Sequence, residues 1–126
     1  MKQAAVLLVG LVAGIAIGVW GVPALQAQPA PRGAYVVAEM RVTEPAGFME
    51  YERREAATLA SYHGRVLTRA LPDVREGAPA DGVVAILGFD SAQDANRWYN
   101  SPDYARLIPL RQKSAASRVY VLEGVH

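Results

Sequence analysis

The chain of 126 residues contains no cysteine. That excludes disulfides, thiolate-bound metal, a cysteine nucleophile and the cysteine on which a bacterial lipid anchor is built. Histidine is scarce as well: His63 and the terminal His126 stand alone, without metal-ligand spacing, so neither a metal nor a cofactor is expected. Lysine is confined to Lys2 and Lys113, which leaves arginine carrying nearly all the positive charge. Excess charge of either sign is also lacking, since residues 28–126 hold 12 basic and 12 acidic side chains. A neutral balance argues against nucleic acid, whose phosphates need a basic surface. No phosphate-binding loop is present, because Gly77 to Gly82 lacks the lysine and the following helix such a loop requires. Ser91 and Ser101 have no identifiable histidine–acid partners and read as helix caps rather than nucleophiles.

What is present begins with an uncharged apolar run from Ala4 to Leu25, preceded by a single lysine. Small residues around Ala24-Leu25-Gln26-Ala27 resemble a secretory signal cut after Ala27. A run of about 20 residues also suffices to span a bilayer if it is kept. In that case Gly10, Gly14 and Gly18, on every fourth position, would let two such helices pack closely. The expectation is export to the periplasm or envelope, with a cleaved signal rather than a retained anchor, and membrane contact only if residues 1–27 stay. Gln28-Pro29-Ala30-Pro31-Arg32-Gly33 reads as an extended linker, which leaves 34–126 as one domain of modest core.

Within that domain Ala34 to Val42 alternates as a strand, with Ala34, Val36, Ala38, Met40 and Val42 on one face. Thr43-Glu44-Pro45 opens a helix running to about His63 and ending on Gly64 as a left-handed cap. Its stripe is Phe48, Tyr51, Glu55, Leu59 and Tyr62, and Glu55 is expected at the stripe's edge, reaching water. Arg65 to Leu71 predicts a second strand, with Val66, Thr68 and Ala70 on one face and Arg65, Leu67, Arg69 and Leu71 on the other. A loop rich in Pro, Gly and Asp follows to Gly82. Val83 to Phe89 is apolar on both faces, as a central strand should be. Ser91 with Asp94 approximates a capping box for a helix burying Ala95, Trp98 and Tyr99. Ser101-Pro102-Asp103 caps and starts another helix, which Pro109 must kink or restart. Arg118 to Glu123 is the final strand.

Strand, helix, strand, strand, helix, strand folds into an α+β, ferredoxin-like βαββαβ unit, a four-stranded antiparallel sheet with helices on one face. The first and third strands are central, the second and fourth are edges. The uncovered face carries bulky apolar and aromatic residues, so a homodimer with sheets packed face to face is expected.

Ala34-Tyr35-Val36-Val37-Ala38, Tyr62-His63-Gly64-Arg65, Arg69, and Ser101-Pro102-Asp103-Tyr104 through Pro109-Leu110-Arg111 resemble the domain-of-unknown-function 1330 family over 34–124. The resemblance implies a dimeric α/β barrel and brings no established activity. Where that family usually has Gly-Gly before the arginine, this chain has His63-Gly64. Where it usually has Arg-Gly-Gly, this chain has Arg69-Ala70-Leu71. Related barrels hold small ligands between sheet and helices, and by that analogy a pocket would draw on Glu39, Tyr51, Tyr62, His63, Arg69, Trp98 and Arg111. His63 could act as a general base, and Arg69 or Arg111 could grip a carboxylate. Against those roles, His63 is expected to meet the last helix carbonyls and Tyr51, Tyr62 and Trp98 to be core. Arg111 is expected to close onto a helix C-terminus or an acid such as Glu123. The readings are a homodimer binding a small organic ligand, a cofactor-independent monooxygenase or isomerase, or a structural or stress-associated envelope protein.

Overall fold

The computed structural model describes residues 32–125. The proposed signal or anchor at 1–27, and linker residues 28–31, lie outside those residues. Among the described residues no helix is long and apolar enough to cross a membrane.

Alternating and all-apolar stretches give strands β1 (Ala34–Val42) and β3 (Val83–Phe89), with the bounds their patterns predict. Between them lie helix α1 (Pro45–Leu59) and strand β2 (Gly64–Ala70); after them come α2 (Ala92–Tyr99), α3 (Pro102–Ala105), α4 (Ile108–Ser114) and β4 (Ala115–Glu123). The sheet is antiparallel in the order β2-β3-β1-β4, the ferredoxin-like order, with β1 and β3 central. β4 starts three residues before Arg118. Ala115, Ala116 and Ser117 have little strand propensity of their own, but β1 is long enough to pair with them through Val42, Arg41 and Met40.

The core lies between the sheet and the helices. Ala34, Val36 and Met40 from β1, Ala85, Leu87 and Phe89 from β3, Phe48, Leu59 and Trp98 from the helices, and Leu107 between α3 and α4 are all buried. The opposite sheet face is open, and Tyr35, Leu67, Tyr120 and Leu122 are exposed there.

Two local features depart from expectation. α1 ends at Leu59 and tightens into a 3-10 turn, Ala60–Tyr62, and the left-handed residue is His63 (φ 57°), not Gly64. Gly64 is needed for a different reason. A Cβ there would lie 2.5 Å from the Phe89 ring, so only glycine lets β2 pass that ring. In β2 the register against β3 shifts between Val66 and Thr68. This bulge places Val66 opposite Leu87 and Arg69 opposite Ala85. Leu87 and Ala85 are both buried on the helix side, so Arg69 turns toward the helices rather than sharing a face with Arg65 and Leu67.

Candidate functional site

α1 buries Phe48, Tyr51, Glu55 and Leu59 along one stripe. Glu55 does not reach water at the edge of that stripe; it is 4% exposed. A carboxylate this deep needs a partner. The bulge in β2 supplies one, since Arg69 Nη2 donates to Glu55 Oε2 at 2.6 Å. Arg69 Nε also lies 3.2 Å from Glu52 Oε1, but off the N–H direction, so the contact is an ion pair without a hydrogen bond. Burial pushes the Glu55 carboxyl above its ordinary range, against the opposing pull of Arg69.

One turn earlier on α1, Tyr51 shares a hydrogen bond of 2.8 Å with the hydroxyl of Tyr104. Tyr104 is delivered by α3, a four-residue helix held by its cap. Ser101 Oγ accepts from Tyr104 N at 3.2 Å and donates to the Trp98 carbonyl at 2.7 Å. After the break at Arg106 and Leu107, α4 brings Arg111 into the same layer, where Nη1 donates to the Tyr104 hydroxyl at 3.2 Å. Arg111 is therefore not directed at a helix C-terminus or at Glu123. It is 5% exposed; among the described residues it forms no ion pair, and its Nε has no hydrogen-bond partner. Burial pushes both tyrosine hydroxyls upward in pKa, so they stay protonated and can donate. Together Glu52, Arg69, Glu55, Tyr51, Tyr104 and Arg111 form a polar chain between sheet and helices.

The other candidates go elsewhere. Glu39 sits on the open face, where Arg118 pairs with it, beside an open hollow formed with Pro79, Ala80, Asp81 and Ser117. The backbone N–H of His63 donates to the Ala60 carbonyl at the end of the helix at 3.2 Å, while its ring faces outward, with Nδ1 3.2 Å from Asp94 Oδ2. This contact also diverts Asp94 from its half of a capping box, although Asp94 N still donates to Ser91 Oγ at 3.0 Å. Tyr62 is half-buried beneath the Arg97 guanidinium, 5.9 Å from its ring centre. Trp98 is a core residue, 4.0 Å from the Tyr104 ring centre, and its Nε1 donates to Thr58 Oγ1 at 2.8 Å. Among the described residues His63, Asp90 and Asp94 bring possible metal-ligand atoms within 4.8 Å of one another. Arg65 and Arg97, each 3.8 Å from one of these carboxylates, already set opposite charge beside them.

Sequence reasoning grouped seven residues; the structure joins Tyr51, Arg69 and Arg111 and adds Glu52, Glu55 and Tyr104. The available signal for Tyr104 was its hydroxyl on an apolar helix face, where a tyrosine needs a partner. For Glu55 it was a carboxylate within a buried stripe.

The fold is similar to several solved structures at low identity. The RPA0582 protein of unknown function from Rhodopseudomonas palustris is 17% identical over 75% of this chain and 84% of its own, with a TM-score of 0.58. SnoaB, a cofactor-independent oxygenase from Streptomyces nogalater, is 18% identical over 75% of this chain and 95% of its own, at 0.57. A conserved protein of unknown function from Bacteroides thetaiotaomicron, described as a possible oxidoreductase, is 16% identical over 75% and 99%, at 0.51. No curated protein matches the sequence. With the residues that carried the resemblance now placed on a ferredoxin-like sheet, and the family described as "Domain of unknown function (DUF1330)" matching residues 33–125, the chain belongs to that family.

Proposed function

We propose that the protein is an exported homodimer that binds a small organic molecule in each subunit, between the sheet and the helices. The observation that carries this reading is the polar chain from Arg69 through Glu55, Tyr51 and Tyr104 to Arg111 in an otherwise apolar layer. A layer built for stability alone is better filled with apolar side chains, because buried ionic groups are desolvated at a cost of several kcal/mol each, in round terms. Such a chain offers a ligand donors and acceptors that are already oriented. Export is supported by the apolar run in residues 4–25, and dimerisation by the exposed apolar residues on the open sheet face.

Catalysis of the kind named for SnoaB is the second reading, favoured by the fold it shares with this chain. Binding is preferred over it because His63, the one histidine in the domain interior of the sequence, points away from the polar chain. Native mass spectrometry of the protein purified from its host's envelope tests the proposal. Two copies of the chain, each carrying the mass of a small organic compound, are expected. A monomer without added mass is the result that overturns it.

A further inference from the structure

Among the described residues no acidic side chain in contact with Arg111 answers the charge of this buried cation. Arg69, the other guanidinium of the layer, meets two carboxylates, at 2.6 Å and 3.2 Å. Arg111 meets the Tyr104 hydroxyl, with Tyr99 close enough to interact, and no acid. Glu55 acts on it through space but spends its hydrogen bond on Arg69. The Nε–H of Arg111 is sealed from solvent and unpaired. An unsatisfied buried donor on a charged group is among the least favourable features a core can hold. It is tolerable where a ligand supplies the missing acceptor.

The surroundings narrow the chemistry. A guanidinium edge with a free N–H suits the two oxygens of a carboxylate. Tyr104 and Tyr99 stand beside it, and Tyr104 packs in turn on Trp98, with ring centres 5.4 Å (Tyr99) and 4.0 Å (Trp98) from that of Tyr104. These rings exclude water from the guanidinium, which strengthens its pull on an anion. Glu55 faces Tyr51 and Glu52 on its own helix, Arg69 on β2 and, at longer range, Arg111 on α4. Its negative charge is thus held on the Arg69 side, and the Arg111 end of the layer is left electropositive.

We infer that Arg111 is the anchor of an anion site and that the ligand is a small organic carboxylate. This rests on the proposed ligand-binding function and names its substrate class. Because Arg111 Nε is closed to water, an anion can reach it only if the layer around it opens.

Calorimetric titration of the full-length protein with benzoate and with its neutral isostere benzamide tests the inference. Benzoate should bind about tenfold or more tightly than benzamide, the worth of one charge-assisted hydrogen bond. Arg111→Lys keeps the charge and removes the fork, and should weaken benzoate by about tenfold and benzamide by less. If that variant fails to fold, the two probes on the wild type still decide the matter. Equal affinities for benzoate and benzamide overturn the carboxylate assignment and leave the ligand-binding function standing. Binding of neither probe overturns both.

Discussion

Glu55 and His63 each hold a position that their chemistry resists. The folded state raises the Glu55 pKa above its ordinary value of 4.5, chiefly through burial. A raised folded pKa means that the native state binds the Glu55 proton more tightly than the unfolded chain does. Its contribution is therefore fully present below pH 4.5 and is lost as pH rises through the folded value. Glu55→Gln cannot titrate, so the stability of wild type minus that of Glu55→Gln should fall with rising pH across this window. Urea denaturation from pH 4 to 8, in roughly half-unit steps, measures the difference. A difference that grows with pH would mean that Arg69 outweighs burial. His63 presents a backbone problem instead, since a left-handed conformation is costly for residues with a Cβ and worst for β-branched ones. His63→Val should be about 1–2 kcal/mol less stable than His63→Gly. Equal melting temperatures for the two would show that the turn relaxes to negative φ.

Among the elements, α3 contributes most to the candidate site for its length. Four residues are too few to persist alone, since helix nucleation is unfavourable. The Ser101 hydroxyl holds the start of the segment and ties it to α2, by accepting from Tyr104 N and donating to the Trp98 carbonyl. Losing a serine cap costs about 1 kcal/mol, and the second bond here places Ser101→Ala nearer 2 kcal/mol. Thermal melts should show a drop of roughly 4–8 °C for each of those kcal/mol. A change within about 0.5 kcal/mol, typical of a neutral surface substitution, would show that packing of Tyr104 and Leu107 holds α3 without its cap. Much of this level is legible in the sequence. Alternation marks β1 and a run apolar on both faces marks β3, and Ser91, Ser101 and Pro102 mark helix starts through local chemistry that needs no tertiary partner. The bulge in β2 is different, because it depends on how β2 registers against β3, and it alone brings Arg69 to Glu55. Arg111 likewise looks like a helix-end cation in sequence, and only the packing of α4 after the break at Arg106 and Leu107 sets it against Tyr104. The site was half legible because its members are brought together by register and packing rather than by spacing.

At the scale of the whole molecule the unresolved balance is between the two faces of the sheet. One face is covered by four helices; the other exposes Tyr35 and Tyr120 at 41% each, Leu67 at 46% and Leu122 at 50%. These belong to β1, β4 and β2, so the apolar surface spreads across the sheet instead of following one edge. Val37 and Tyr120 are paired neighbours, as are Tyr35 and Leu122, which makes the patch continuous between β1 and β4. Scattered apolar side chains need no partner, but a contiguous patch of aromatic and aliphatic residues does. Glu39 and Arg118 pair at one end of it and offer a polar rim. The geometry suits a second copy of the same sheet, because a twofold contact lets each patch cover its own counterpart. Tyr120, near the middle of β4, should be a central contact, and aromatic residues at such positions often carry 2 kcal/mol or more, in round terms. A charge placed there would be desolvated without a partner. Tyr120→Asp should therefore shift sedimentation velocity at micromolar concentration from dimer toward monomer, with the circular dichroism spectrum unchanged. Arg75→Ala, on the exposed loop before β3, is the control and should leave the dimer intact. A wild-type monomer, or a dimer that survives Tyr120→Asp, would mean that the open face is covered in some other way.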